Sequence, residues 1–107
     1  VDTAFITAWS NDDSFNNIFT RQLEGLAQSD DILIALSTSG NSKNIINAAK
    51  YCNDNNIKII SLTGFDGGIL KNLSDININI ATDSTQRVQE MHILVGHILC
   101  DIVEHSF

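Results

Sequence analysis

The sequence predicts an α/β fold, a doubly wound parallel sheet of which three strands are visible in this chain. Short runs rich in Ile and Leu, of strand length, fall at 30–36, 57–62 and 76–81. Segments with apolar residues at helical spacing lie before, between and after them. Strands that alternate with helices need crossover connections, which make neighbouring strands parallel and put helices on the sheet faces.

The elements follow in order. Residues 3–9 read as a short helix. From Asp13 to Ala27, the residues Phe15, Ile18, Phe19, Leu23 and Leu26 form one apolar stripe of a helix. The runs at 30–36 and 57–62 are continuously apolar, so both are expected to be buried on both faces. Between them, Ser42 to Asn55 carries Ile45, Ile46, Ala49 and Cys52 at helical spacing, with Ser42 as its N-cap. Asp66-Gly67-Gly68 reads as a turn that opens a short helix through Leu70 and Leu73. Residues 76–81 alternate strictly, which suits an edge strand with one wet face. The last helix runs from about Ser84 to His105, with Val88, Met91, Val95, Ile98 and Ile102 as its stripe and Asp83, Ser84 and Thr85 as a cap cluster. It is apolar on more than one side, which suits subunit packing. A sheet of this kind usually has about five strands. N-terminal strands are therefore expected to be missing, and the absence of an initiator Met before Val1 agrees.

Composition bounds the function. A chain of 107 residues fits one domain, 1–107. The net charge is −7 with no basic cluster, which disfavours nucleic-acid binding. A single small anion can still bind where backbone N–H groups converge. Cys52 and Cys100 have no metal-type spacing and lie on apolar helical faces, so reduced core thiols in a cytoplasmic protein are expected. No apolar run reaches the ~18 residues of a membrane span.

The loop Ser37-Thr38-Ser39-Gly40-Asn41-Ser42 joins the first strand to the helix after it. In open α/β sheets, ligands bind beyond the carboxyl ends of the strands. A helix N-terminus there offers N–H groups and the positive end of the dipole to a phosphate. Ser37, Thr38, Ser39 and Ser42 add neutral O–H donors, and Gly40 allows close approach or a positive φ. The loop lacks the pattern of the nucleotide triphosphatase loop and of the dinucleotide fingerprint. Hydroxyls in place of Lys suit one terminal phosphomonoester. The bland alternative is a Ser/Thr-rich loop that only caps its own helix.

These residues also carry a family resemblance. S-T-S-G-N-S at 37–42, I-S-L-T-G-F-D-G-G at 60–68 and R-V-Q-E-M-H-I-L-V-G-H-I-L-C-D-I-V-E at 87–104 resemble the sugar-isomerase (SIS) domain family. Within it they are most similar to the bacterial phosphoheptose isomerases. Trp9-Ser10-Asn11-Asp12 and Phe19-Thr20-Arg21-Gln22 fit the same pattern. The resemblance covers nearly the whole chain and corresponds to the C-terminal part of the family, whose sheet has flavodoxin-like order.

The resemblance implies an aldose–ketose isomerase that acts on sedoheptulose 7-phosphate in heptose synthesis for lipopolysaccharide. It implies phosphate binding by Ser37, Thr38, Ser39 and Ser42, and substrate contact by Asn11 and Asp12. Gln89 and His97 match catalytic positions at the reacting end of the sugar, where some members hold zinc. A homotetramer with its active site between subunits is also implied, with no organic cofactor. The family's catalytic Glu and a further His belong to an N-terminal helix with no counterpart here. Gln86 departs from the family pattern, so no role is assigned to it. The chemistry suits these residue types. Moving a proton between C1 and C2 through an enediol needs a base for carbon and a donor for oxygen, and Glu and His can both be tuned toward neutrality.

His97 and His92 also have a structural reading, as helix histidines bonded in the core or at an interface. Gln89 and His97 are eight residues apart. In one continuous helix that is ~12 Å along the axis, so joint zinc ligation needs a helix that starts after Gln89 or an irregular first turn. Two rival functions remain. One is a non-catalytic SIS adaptor tetramer that binds a replication initiator, which resembles this chain but has Asn at the position of His97. The other is a domain that senses a sugar phosphate for a regulated partner, against which the lack of an attached DNA-binding segment weighs.

Overall fold

A computed structural model describes residues 14–107. The segment expected as a helix at 3–9 lies outside them. A single turn of 3-10 helix, Phe15–Asn17, begins the described chain, its start capped by the Ser14 hydroxyl, which accepts the Asn16 N–H at 3.1 Å. It leads into α1 (Ile18–Leu26), β1 (Ile32–Ser37), α2 (Lys43–Asp54), β2 (Lys58–Gly64), α3 (Gly68–Leu73), β3 (Ile76–Ile80) and α4 (Thr85–Ser106). The three strands form one parallel sheet in the order β1-β2-β3. The predicted elements from α1 onward are all present, with ends shifted by a few residues.

The register sorts the sheet residues into two faces. Leu33, Ala35 and Ser37 pair with Ile59, Ser61 and Thr63, so their side chains share one face. Helices α1, α2 and α3 cover it. The core there joins Ala35, Ala49, Cys52, Ile57, Ile59 and Leu70. Fully burying a side chain such as Ile59 contributes about 1.5–3 kcal/mol. Burial also pushes the Cys52 thiol up from its ordinary pKa, so it stays protonated.

Helix α4 lies on the opposite face. Val88 is fully buried beside Gly64. His92 is also buried, and its Nε2–H donates to the Thr63 carbonyl at 2.8 Å, since a carbonyl oxygen can only accept. His92 therefore fastens α4 to the end of β2.

Four expectations are corrected. Strand β2 is largely buried, but β1 is not buried on both faces: Ile32, Ile34 and Leu36 are exposed on the α4 side. Helix α4 contacts β2 and leaves that part of β1 uncovered among the described residues.

Strand β3 lies at the sheet edge as expected, but its Asn face is not simply wet. Asn77 Nδ2 donates to Ser61 Oγ at 2.8 Å and to Thr63 Oγ1 at 3.0 Å, and Thr63 Oγ1 donates to Asn79 Oδ1 at 2.8 Å. Ser74 Oγ adds a 2.6 Å bond to Ser61. Ser61 and Thr63 are fully buried, so this ladder satisfies hydroxyls that would otherwise cost about 1–3 kcal/mol each.

Cys100, expected in the core, is exposed. The residues of α4 that meet the sheet are Val88 and His92, while Met91, Ile98 and Ile102 of the expected stripe are exposed.

Candidate functional site

The loop at 37–42 leaves β1 at its carboxyl end and enters α2, as the spacing predicts. Gly40 has φ +72°, in the left-handed region that favours glycine, and its N–H donates to both the carbonyl and the hydroxyl of Ser37, each at 3.1 Å. Ser42 occupies the N-cap position of α2, and its carbonyl accepts the Ile46 N–H at 2.9 Å. Its side chain, however, makes no capping bond to α2. It lies 3.0 Å from Ser37 Oγ instead.

This arrangement orients the hydroxyls. Ser37 is buried and its oxygen already accepts the Gly40 N–H. A buried O–H needs an acceptor, and Ser42 Oγ is the one within reach. The Ser42 hydrogen is then left to point out of the loop. Ser39 is exposed, and its oxygen accepts the Asn41 N–H at 3.1 Å, so its own hydrogen is likewise free to donate outward. Two outward O–H donors stand at a helix start whose dipole favours an anion. The loop can thus hold a phosphate without a cationic side chain.

A second loop braces the first, a pairing invisible to local sequence patterns. The Gly64 N–H donates to the Thr38 carbonyl at 2.8 Å. The Leu70 N–H donates to the Gly40 carbonyl at 2.9 Å, and the Ile69 N–H to Asn41 Oδ1 at 3.0 Å. Asp66 Oδ1 accepts the Gly68 N–H at 3.0 Å. A methyl on Gly40 would collide with the Gly67 carbonyl, and one on Gly68 would sit 2.5 Å from the Ser39 carbonyl. Phe65 has φ +55°, an unusual value for a bulky residue. It is held on both sides, its N–H by the Thr82 carbonyl at 3.2 Å and its own carbonyl by Asn79 Nδ2 at 3.0 Å.

The remaining candidates are placed differently. Asn11 and Asp12 lie outside the described residues. Gln89 and His97 are both exposed on α4, a different element from the loop after β1. The helix is continuous from Thr85, so neither a start after Gln89 nor a break between the two residues occurs. They stand ~12 Å apart along the axis, and His97 lies about 180° round the helix from the sheet-facing Val88. Among the described residues no three His, Cys, Asp or Glu side chains converge in a way that could hold a metal. Gln89 and His97 together do not make the four-coordinate set that zinc takes. The described residues do not by themselves make up a zinc site, and no step is routed through one.

Ser84 caps α4, its hydroxyl accepting the Arg87 N–H at 3.4 Å, and Arg87 pairs with Glu90 at 2.9 Å on the surface. A cavity of about 690 Å³ lies elsewhere, between α1 and β1. Its walls include Phe19, Leu23, Ile34 and Leu36.

Comparison with known proteins fits this geometry. The profile of the SIS domain family matches residues 16–95. The chain belongs to the SIS domain family. It is 50% identical over 103 residues to the phosphoheptose isomerase of Sulfurimonas denitrificans, covering 96% of this chain and 53% of that protein. It is 48% identical over 106 residues to that of Helicobacter pylori strain P12, covering 99% of this chain and 55% of that protein. The solved phosphoheptose isomerase of Neisseria gonorrhoeae superposes with a TM-score of 0.95 at 38% identity, over 98% of this chain and 59% of that one. That of Francisella tularensis gives 0.93 at 41% identity, over 97% of this chain and 56% of that one. The SIS chain therefore spans about half the length of the relatives it matches. Its doubly wound parallel arrangement is the SIS fold seen in both structures. No helix of the described residues is long and apolar enough to cross a membrane.

Proposed function

We propose that the protein to which this chain belongs is a phosphoheptose isomerase. It would interconvert sedoheptulose 7-phosphate and D-glycero-D-manno-heptose 7-phosphate through an enediol, in the cytoplasm, for lipopolysaccharide heptose synthesis. The observation that carries the proposal is the 37–42 loop, with exposed Ser39 and Ser42 hydroxyls at a helix start, in a chain about half identical to named phosphoheptose isomerases.

In this proposal Ser39, Ser42 and the α2 N-terminus hold the phosphate, with Thr38 beside them and Ser37 ordering the Ser42 hydroxyl from below. Binding the phosphate far from the reacting carbons fixes their position and supplies energy for the chemical step. His97 moves a proton at a sugar oxygen, and Gln89 contacts the sugar. Asn11 and Asp12 hold its hydroxyls. The exposed position of His97, on the side of α4 turned from its own sheet, supports a site completed by another subunit of a tetramer. The family's Glu base would come from outside this chain. The adaptor reading is disfavoured because its counterpart of His97 is Asn.

The test is turnover. Full-length protein incubated with sedoheptulose 7-phosphate is expected to form the aldose. His97→Ala is expected to lower the rate by about 100-fold or more, as for loss of a general acid or base. An intact protein that forms no aldose would contradict the proposal.

A further inference from the structure

Asn41 takes no part in the roles above, yet it lies at the junction of the two loops. Its backbone N–H donates to Ser39 Oγ at 3.1 Å. Its side-chain oxygen accepts the Ile69 N–H at 3.0 Å, across 28 residues of chain. One residue thus orders a hydroxyl of the phosphate loop and closes the first turn of α3. Its neighbour does the parallel job with backbone alone: the Gly40 carbonyl accepts the Leu70 N–H at 2.9 Å.

We propose that Asn41 is a positioning residue for the anion site, acting by clamping the 37–42 loop to the start of α3 so that Ser39 presents its O–H to a phosphate. This rests on the sugar-phosphate reading above. The physical reason lies in the loop itself. Its tip is exposed, and the local bond from Asn41 N–H to Ser39 is short in sequence. A tip with fewer bonds to the rest of the fold samples more arrangements, and each one costs binding affinity when a ligand selects the competent form. The Asn41–Ile69 bond ties the tip to a helix whose Leu70 is fully buried in the core. An acceptor is needed here, because α3's first-turn N–H groups otherwise lack a partner in the helix. Asp would also accept; Ala would not.

The test uses full-length protein. Asn41→Ala is expected to weaken sedoheptulose 7-phosphate binding about 5- to 10-fold, the loss of one ordinary hydrogen bond. In turnover, KM should rise by a similar factor while kcat stays within about twofold. Hydrogen exchange at the Ile69 amide should speed up, and the global unfolding midpoint should move little because Asn41 is exposed. Asn41→Asp should keep the Ile69 amide slow, since a carboxylate oxygen still accepts. Weaker binding with an unchanged Ile69 amide would overturn the proposal, because Asn41 would then touch the phosphate directly. Unchanged binding in Asn41→Ala would overturn it as well. The failures are distinguishable. A wild-type protein that binds inorganic phosphate but not the sugar phosphate contradicts the functional reading alone, and Asn41→Ala is then judged on inorganic phosphate. A wild-type protein that binds neither overturns both.

Discussion

Helices α2 and α3 both start at the carboxyl edge of the sheet, and they use their first turns in opposite ways. At α3 the N–H groups of Gly68, Ile69 and Leu70 are taken by Asp66, Asn41 and the Gly40 carbonyl. At α2 the N-cap serine turns its hydroxyl toward Ser37 rather than toward its own helix. One helix start is closed from outside by the second loop's partners, and the other keeps its N-cap hydroxyl off its own helix, with the Ile45 N–H taken locally by Asn44 Oδ1 at 2.8 Å. The difference shows how a single loop can be rigid and still carry donors for a ligand. The Gly40 carbonyl and the Asn41 oxygen face α3, while Ser39 and Ser42 are exposed. Had both helix starts been capped by their own serines or aspartates, the loop would have been a connection and nothing more.

The largest expected effect comes from separating the two starts. Gly40→Ala puts a side chain at φ +72° and against the Gly67 backbone. A loss of about 2–4 kcal/mol in urea unfolding is expected, from strain and steric overlap together, with phosphate affinity falling beyond measurement. A variant as stable and as tight-binding as the wild type would show that the loops are not in contact. Next is the support behind the second loop. His92→Leu leaves the buried Thr63 carbonyl without its side-chain donor, and a loss of about 1–3 kcal/mol is expected. Asp66→Ala uncovers one α3 N–H, and a cap of this kind contributes about 0.5–2 kcal/mol. The smallest stability effect sharpens the contrast most. Ser42→Ala is expected to shift unfolding by less than about 0.5 kcal/mol, below the usual cost of removing a cap, because this serine does not cap α2. A full capping loss at Ser42 would mean that the two helix starts behave alike.

Much of this was legible in the residues. Apolar run lengths marked the strands, Gly67-Gly68 marked the start of α3, and five polar residues with one glycine between a strand and a helix marked the loop. What was not legible is what depends on pairs far apart in the chain. Asn41 and Ile69 carry no local pattern that links them. The alternation at 76–80 reads as a wet edge, because nothing in those five residues reveals that Ser61 and Thr63 stand opposite with hydroxyls to satisfy. Helix α4 has apolar residues on several sides, so its periodicity could not say that Val88 and His92, rather than Met91 and Ile98, meet the sheet. The same ambiguity placed Cys100 inside. Strand β1 looks fully buried because composition cannot tell a face covered within the chain from one left bare. For the candidate site, the proposed phosphate loop was readable from residue types and spacing, and the proposed reacting end was not. His97 and Gln89 are named only by resemblance, and they lie on a different element from the loop.

The central claim is that the 37–42 loop binds the phosphate of a sugar phosphate through its outward hydroxyls. Calorimetric titration of full-length protein with sedoheptulose 7-phosphate tests it most directly, wild type against the double variant Ser39→Ala, Ser42→Ala. Two charge-assisted hydrogen bonds contribute about 1.5–3 kcal/mol each, so an affinity loss of at least about 100-fold is expected. An unchanged dissociation constant in the folded double variant would contradict the claim.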